Sequence, residues 1–245
     1  RRNAAVQKWL ATERRNANTN ARLRSQALRN FMFLDGVTYA HLIHVVRGMV
    51  ARVIPFMPSL DIAYGRFSGG ASTSRRRAEG HPALKFQGKA DDTDMWRPLD
   101  ATRPAWQLFQ TINDRTAWAT HISESWVEPR FVSGNSLFTV PKNSEIDRCA
   151  CKEPDINLFL QRSLGNQIRF CLRRSGINLN DQTINGEFAR RGSIDGSLAT
   201  LDLSAASDSI TTEAVRLLMP QNWFHYLSLV RSPTTMVDGR KVELE

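Results

Sequence analysis

Two aspartates lie close together at the end of an apolar segment. Asp202 is flanked by Leu201 and Leu203, and Asp208 follows a stretch rich in Ser and Ala. A carboxylate within an apolar strand is costly to bury unless it binds a cation or another partner. Two such carboxylates can surround Mg²⁺ and a nucleotide, as nucleotidyl transfer requires. A structural alternative stays open, because Asp208 or Ser209 could instead cap the helix predicted to start near Ile210.

A second group of charged residues follows a predicted strand at Ser136–Val140. Lys142 and Arg148 lie near the turn after this strand, where their charges could hold a triphosphate. The alternative is a surface loop in which Glu145 and Asp147 form salt bridges with them. The position of the two cations relative to Asp202 separates these hypotheses.

Residues 65–89 have the composition of a loop, rich in Gly and Ser. Arg75, Arg76 and Arg77 follow the Gly/Ser run directly. Backbone amides and arginines together are suited to contact RNA phosphates. A flexible linker would have the same composition, so both interpretations stay open.

The positive charge is concentrated in the first part of the chain. The 245 residues carry a formal net charge of +9, and residues 1–89 contain 16 Lys and Arg against 4 Asp and Glu. Such a basic chain usually binds polyanions. Arg suits phosphate contacts better than Lys, because its planar guanidinium can donate two hydrogen bonds at once. A highly charged, self-repelling surface would also explain the excess.

Hydrophobic spacing predicts an α+β protein that is mostly helical with few strands. Strand 198–203 is apolar at nearly every position, so we expect it to be central, with both faces covered. An Asp-Gly pair predicts a hairpin turn at Val237–Lys241. The other predicted elements are helices at 3–30, 37–54, 105–121, 155–174, 181–190 and 210–219, with 3–30 exposed.

Several other kinds of site are disfavoured. Cys149 and Cys151 lack the second pair that a zinc site needs, and three cysteines without a signal peptide indicate a reducing compartment. Asp91, Asp92 and Asp94 lack the spacing of a calcium loop and predict a solvated turn. Apolar runs are too short for a membrane span.

Four segments of the sequence resemble a known protein family. Thr200–Ile210 resembles motif A of the replicase subunit of leviviruses, which are RNA bacteriophages. The segment from Val140 to Pro154 resembles the family's motif F. Gly176–Asn185 is also similar, and so is the Ser68–Arg77 loop followed by Pro82 and Lys85. The similarity runs from about residue 60 to residue 245.

The resemblance implies a right-hand RNA-dependent RNA polymerase. It implies an N-terminal and fingers region at 1–195 and the start of the palm at 196–245. It makes Asp202 the catalytic, Mg²⁺-binding aspartate, and gives Asp208 the ribose contact with Ser207 as a rival. The nucleotide phosphates would be held by Lys142 and Arg148.

The resemblance also implies partners and a departure from the family pattern. The partners would be template and nascent RNA, nucleoside triphosphates, host elongation factors Tu and Ts, and ribosomal protein S1, in the bacterial cytoplasm without a membrane. The family's Gly-Asp-Asp motif and thumb do not occur in the sequence, so we expect a fragment that is inactive alone. The alternatives are a non-catalytic RNA-binding module, a reverse transcriptase or a structural virion protein.

Overall fold

The structure is a computed structural model of the whole chain. It describes residues 1–245 except 26–27, 29, 34, 56–57, 59–64, 87–97, 112–127, 182, 202 and 204. The described part is mostly helical with a few short strands, which confirms the predicted α+β class.

Within the described residues the chain forms eight α-helices. They are α1 (Arg2–Arg24), α2 (Tyr39–Val53), α3 (Pro82–Phe86), α4 (Arg103–Gln110), α5 (Asp155–Arg174), α6 (Thr183–Asp195), α7 (Thr212–Leu218) and α8 (Gln221–Val230). Single 3-10 turns lie at Arg77–Glu79 and Ser207–Ser209. Helix α5 has the predicted bounds, α6 is longer than predicted, and α8 was not predicted.

The strands form two small sheets. They are β1 (Asp100–Ala101), β2 (Arg130–Phe131), β3 (Asn135–Pro141), β4 (Asp147–Lys152), β5 (Thr234–Val237) and β6 (Arg240–Glu243). Strands β1 and β2 pair in parallel, and the larger sheet has the order β4-β3-β5-β6. The predicted hairpin is confirmed between β5 and β6, where Asp238 and Gly239 have φ of 49° and 78°.

Helix α5 forms the centre of the main hydrophobic core. Its buried face includes Ile156, Phe159, Leu160 and Leu164, each no more than 1% exposed. This face packs with α4 and α8, which contribute Leu108, Phe109, Trp223 and Val230. The helix begins after Pro154 with an aspartate in its first turn and ends with two arginines, which suits its dipole.

Helix α1 packs on the larger sheet, so the prediction that it is exposed was wrong along one face. Val6 and Trp9 form a second core with Val237. Further along the same face, α1 buries the polar side chains of Asn16 and Asn20. Their amides have partners in the last third of the chain, which the sequence did not indicate.

The predicted central strand at 198–203 is absent among the described residues. Residues 197–201 and 203 have irregular backbone, and Leu201 and Leu203 are 89% and 73% exposed. A central strand needs neighbours for its backbone groups on both sides, and the described strands pair only with one another. The segment's apolar composition was therefore not sufficient to predict burial.

Other predictions fall partly or wholly outside the described residues. The helix predicted at 105–121 is present as α4 up to Gln110, and residues 112–127 are not described. Asp91, Asp92 and Asp94 are also outside the described residues. The helices predicted at 37–54 and 210–219 are confirmed as α2 and α7.

Candidate functional site

The segment around Asp208 forms a tight turn at the surface. Ala205 has a φ of 55°, and the 3-10 turn Ser207–Ser209 follows it. Ser207 and Asp208 are both exposed, and the Ser207 hydroxyl lies 3.5 Å from Asp208 Oδ1. Asp202 lies outside the described residues, so its predicted position stays a prediction.

Helix α1 holds this turn through side-chain amides, an arrangement that we call the asparagine clasp (Asn16 and Asn20). Asn16 Nδ2 donates to the Asp208 carbonyl at 2.7 Å. Asn20 Oδ1 accepts from the Glu213 amide at 3.0 Å, and its Nδ2 donates to Glu245 Oε2 at 2.9 Å. The clasp fixes the backbone of the turn and leaves the Asp208 carboxylate exposed.

Both candidate ribose-contacting residues line one cavity of about 450 Å³. Its wall also contains Glu13 from α1 and Arg231 after α8. Burial raises the pKa of Glu13 and lowers the pKa of Arg231, and the charges of Glu13 and Glu245 oppose the shift at Arg231. The cavity thus combines an exposed carboxylate with partly buried charges, and its volume suits a small ligand.

Lys142 and Arg148 lie on the β3–β4 hairpin, and both are exposed. The Lys142 amide closes the turn by donating to the Ile146 carbonyl at 2.8 Å, and Arg148 is paired with Val140. Cys149 packs against the core that α1 forms with the larger sheet, and α1 also holds the Asp208 carbonyl, so Asp208 lies on the Cys149 side of β4. Because side chains alternate along a strand, Arg148 points to the opposite face. The described structure therefore does not bring Arg148 and Asp208 together.

Glu153, at the end of the motif F-like segment, connects three parts of the fold by hydrogen bonds. The Glu153 carboxylate accepts hydrogen bonds from Asn135 Nδ2 at 2.6 Å, Gln161 Nε2 at 3.1 Å and Ser232 Oγ at 2.7 Å. These donors belong to β3, to α5 and to the segment after α8. Glu153 therefore ties the hairpin that carries Lys142 and Arg148 to the main core.

The Gly/Ser loop (Ser68–Ser74) is built around a buried lysine. Lys85 is 1% exposed, and its Nζ donates to the carbonyls of Ser68 and Gly70 at 2.9 and 3.0 Å. Nζ also lies 3.9 Å from Asp155 Oδ1, and Asp155 Oδ2 accepts from Ser74 Oγ at 2.6 Å. We call this arrangement the Lys85–Asp155 network. It shows that the Ser68–Ser74 segment is a folded loop and not a free linker.

The three consecutive arginines have different environments. Arg75 is buried, and its guanidinium donates to Ser74 Oγ at 2.9 Å and to the Leu84 carbonyl at 3.3 Å. Arg76 and Arg77 are exposed. The loop thus uses Arg75 internally, and RNA contact by the arginine run stays a prediction that applies best to Arg76 and Arg77.

Comparison with known proteins identifies the relationship. The family described as RNA replicase, beta-chain matches residues 1–245. The chain belongs to this family. It is 40% identical to the RNA-directed RNA polymerase subunit beta of Escherichia virus Qbeta over 98% of this chain and 38% of that protein. It is 39% identical to the RNA-directed RNA polymerase beta chain of Escherichia phage MS2, over 82% of this chain and 36% of that protein.

Membership of the RNA replicase beta-chain family confirms the resemblance to the levivirus replicases. The chain spans 36–44% of the length of the first four curated relatives. The described residues contain no group of three His, Cys, Asp or Glu side chains that could hold a metal ion. Among the same residues, none of the helices has the length and apolar character needed to cross a membrane.

The residues that hold the candidate site and the Gly/Ser loop in place were not assigned a role from the sequence. Lys85 was noted only as part of the family resemblance, without a role. Asp155 was not singled out, although an Asp directly after Pro154 at a helix start was a usable signal. Asn16 and Asn20 lie four residues apart on α1, which places them on one helical face. That spacing could have identified a polar face, but not its partner.

Proposed function

We propose that this chain is part of an RNA-directed RNA polymerase that copies an RNA bacteriophage genome by template-directed nucleotidyl transfer. The observation that carries the proposal is the family match over residues 1–245. The relatives from phages Qbeta and MS2 bear the same activity in their names. A cavity lined by both Ser207 and Asp208 supports it.

The proposal gives each predicted site residue a role. Asp202 would ligate metal, Asp208 or Ser207 would contact the ribose hydroxyl, and Lys142 and Arg148 would hold nucleotide phosphates. Two Mg²⁺ ions, when bound, would stabilise the attacking and leaving oxygens of the transfer. The described residues do not contain a full ligand set for such ions. Asp202 is the one ligand that the family resemblance assigns, and one aspartate cannot complete a two-metal site, so we expect the 245-residue chain to be inactive alone.

The proposal also includes architecture and partners. Residues 1–195 would form the N-terminal and fingers region of a right-hand polymerase, and residues 196–245 the start of its palm. Its ligands would be template RNA, nascent RNA and nucleoside triphosphates. Elongation factors Tu and Ts and ribosomal protein S1 would be its host partners in the bacterial cytoplasm.

A substitution at Asp202 tests the proposal most directly. In the complete natural polypeptide that carries these residues, Asp202→Asn keeps the side chain's shape and removes a negative charge. We expect nucleotide incorporation on a primed RNA template to fall at least about 10²-fold, or about 2.7 kcal/mol of transition-state stabilisation. RNA affinity should change little, because phosphate contacts are made elsewhere.

The matched control is Asp195→Asn, the same chemical change at an exposed position on α6. It should retain normal incorporation. Asp208→Ala and Ser207→Ala then identify the ribose contact, since the correct one should lower the preference for ribonucleotides over deoxyribonucleotides. Near-normal incorporation by Asp202→Asn at ordinary Mg²⁺ would reject the mechanism and favour a non-catalytic RNA-binding module, which the basic residues 1–89 would also suit.

A further inference from the structure

The outer face of α5 carries four arginines around a recess of about 640 Å³, which we call the arginine groove. Arg162, Arg169 and Arg173 project from α5, and Arg66 completes the set from the segment before the Gly/Ser loop. Among the described residues, the lining of the groove contains no carboxylate. The groove therefore has a concentrated positive charge without a described counter-charge in its wall.

The groove is held in place by the core beneath it. The opposite face of α5 buries Leu160, Leu164 and Cys171, so the helix cannot rotate freely. On the other wall, Phe67 is buried and its ring lies 5.3 Å from that of Phe159. This contact anchors the neighbouring Arg66 backbone.

The loop after α5 forms the remaining wall. Gly176 has a φ of 84°, and the Ile177 amide donates back to the Leu172 carbonyl at 2.9 Å, so the chain reverses at the helix end. This reversal places Asn180 Oδ1 3.0 Å from Arg169 Nη1, where it accepts a hydrogen bond. The Gly176–Asn185 segment, whose resemblance to the family had no assigned role, therefore shapes the groove.

The spacing and chemistry of the groove suit a single nucleic acid strand. Arg162 and Arg173 are about 16 Å apart along the helix axis, which is long enough for several consecutive phosphates. Phe170 lies in the same wall with 56% of its surface exposed, and exposed aromatic rings beside basic grooves stack on bases. The volume is that of a small-ligand pocket and is too small for a duplex.

The groove also adjoins the candidate site. Gln161 and Gly165 line both the arginine groove and the cavity that contains Ser207 and Asp208. A Cβ at Gly165 would meet no heavy atom within 4 Å, so this position is open space. A strand in the groove would thus pass close to the candidate ribose-contacting residues.

We propose that the arginine groove binds the backbone of single-stranded RNA beside the Asp208 cavity. The assignment of RNA as ligand rests on the proposed function, whereas the anion-binding character of the groove follows from its four arginines. Arginine forks hold phosphate oxygens in pairs, and Phe170 adds a base contact.

The test is a double substitution, Arg169→Gln with Arg173→Gln, in the complete natural polypeptide. Binding of fluorescein-labelled oligo(U) is measured by anisotropy at several salt concentrations, without nucleotides. Each lost phosphate contact on a single strand should lower the slope of log affinity against log salt by about 0.7, so we expect a reduction of about 1.4. Affinity at low salt should fall at least about tenfold.

The matched control is Arg190→Gln with Arg191→Gln on α6, which removes the same charge from exposed positions. Equal slopes for the two double variants would overturn the proposal, because the effect would then be one of net charge alone. Phe170→Ala should weaken oligo(U) binding but not tripolyphosphate binding. If tripolyphosphate displaces oligo(U) stoichiometrically and Phe170→Ala has no effect, the groove takes a triphosphate and the RNA assignment is wrong.

The binding result is independent of the polymerase proposal. Oligo(U) affinity is measured without catalysis. If the groove substitutions lower the salt slope as expected but Asp202→Asn incorporates nucleotides normally, only the catalytic mechanism is rejected. If the groove and control variants have equal slopes but Asp202→Asn is inactive, only the RNA-binding role of the groove is rejected.

Discussion

Helices α5 and α6 follow one another in the chain but have opposite environments. Helix α5 has eight buried residues over 20 positions, whereas none of the 13 residues of α6 is buried. Ile184, Phe188 and Ile194 on α6 are between 49% and 72% exposed. Both helices were predicted from sequence, so helical pattern and burial are separate properties, and burial depends on which partners are present.

The environment of charged side chains differs in the same way. At the start of α5, Asp155 accepts a hydrogen bond from the Gly/Ser loop, and Lys85 donates to carbonyls of the same loop; both side chains are almost completely buried. On α6, Arg190 pairs with Glu187, and both side chains are at least 60% exposed. Buried pairs are costly to break and exposed pairs contribute little.

The largest expected effect comes from removing the buried cation. Lys85→Met leaves the Asp155 carboxylate without its ion partner and removes two hydrogen bonds to the loop carbonyls. Asp155 Oδ1 already has no hydrogen-bond partner among the described atoms. We expect the free energy of unfolding in urea to fall by about 3–5 kcal/mol.

The control for Lys85→Met is Arg191→Met, which breaks an exposed pair with Asp195 on α6. It should leave the urea midpoint unchanged within error. A similar loss of stability in both variants would show that α6 is packed as tightly as α5, which contradicts the comparison.

A smaller effect of opposite sign is expected at Gly165 in the middle of α5. An added Cβ meets no heavy atom within 4 Å, and alanine restricts the unfolded chain more than glycine does. Gly165→Ala should therefore raise the free energy of unfolding by about 0.5–1 kcal/mol. Calorimetry would measure the shift, and a lower melting temperature would show that the space at Gly165 is filled.

The smallest effect is expected on the apolar face of α6. Phe188→Ser should change the free energy of unfolding by less than about 0.5 kcal/mol, because the ring is 54% exposed and α6 has no buried residue. Amide hydrogen exchange should be faster in α6 than in α5. A loss above about 2 kcal/mol would mean that Phe188 is buried by a partner in solution.

Local signals predicted the elements whose boundaries are set by one or two residues. Pro154 and Gly176 bracket α5, and Asp238 and Gly239 adopt the left-handed backbone of the hairpin turn. The strand at 198–203 was wrong because a strand requires partners that its own composition does not supply. The burial of Lys85 was not predicted for a similar reason, since a lysine's residue type favours the surface and its partners lie elsewhere in the chain.

The candidate site was predictable only as a set of residue types. The sequence singled out Ser207 and Asp208, and the structure places both in one cavity. It could not show that Arg148 points to the face of β4 opposite Asp208, because that depends on which face of the strand α1 covers. Nor could it show that Arg75 is used inside its own loop.

The asparagine clasp has a consequence for the timing of synthesis. Asn16 holds a carbonyl 192 residues further along the chain, and Asn20 holds an amide 193 residues further along. At about 5–20 residues per second, helix α1 leaves the ribosome roughly 10–40 s before its partners exist. During that interval the side chains of Trp9, Asn16 and Asn20 are exposed to water, because the residues that cover them in the folded protein have not yet been made.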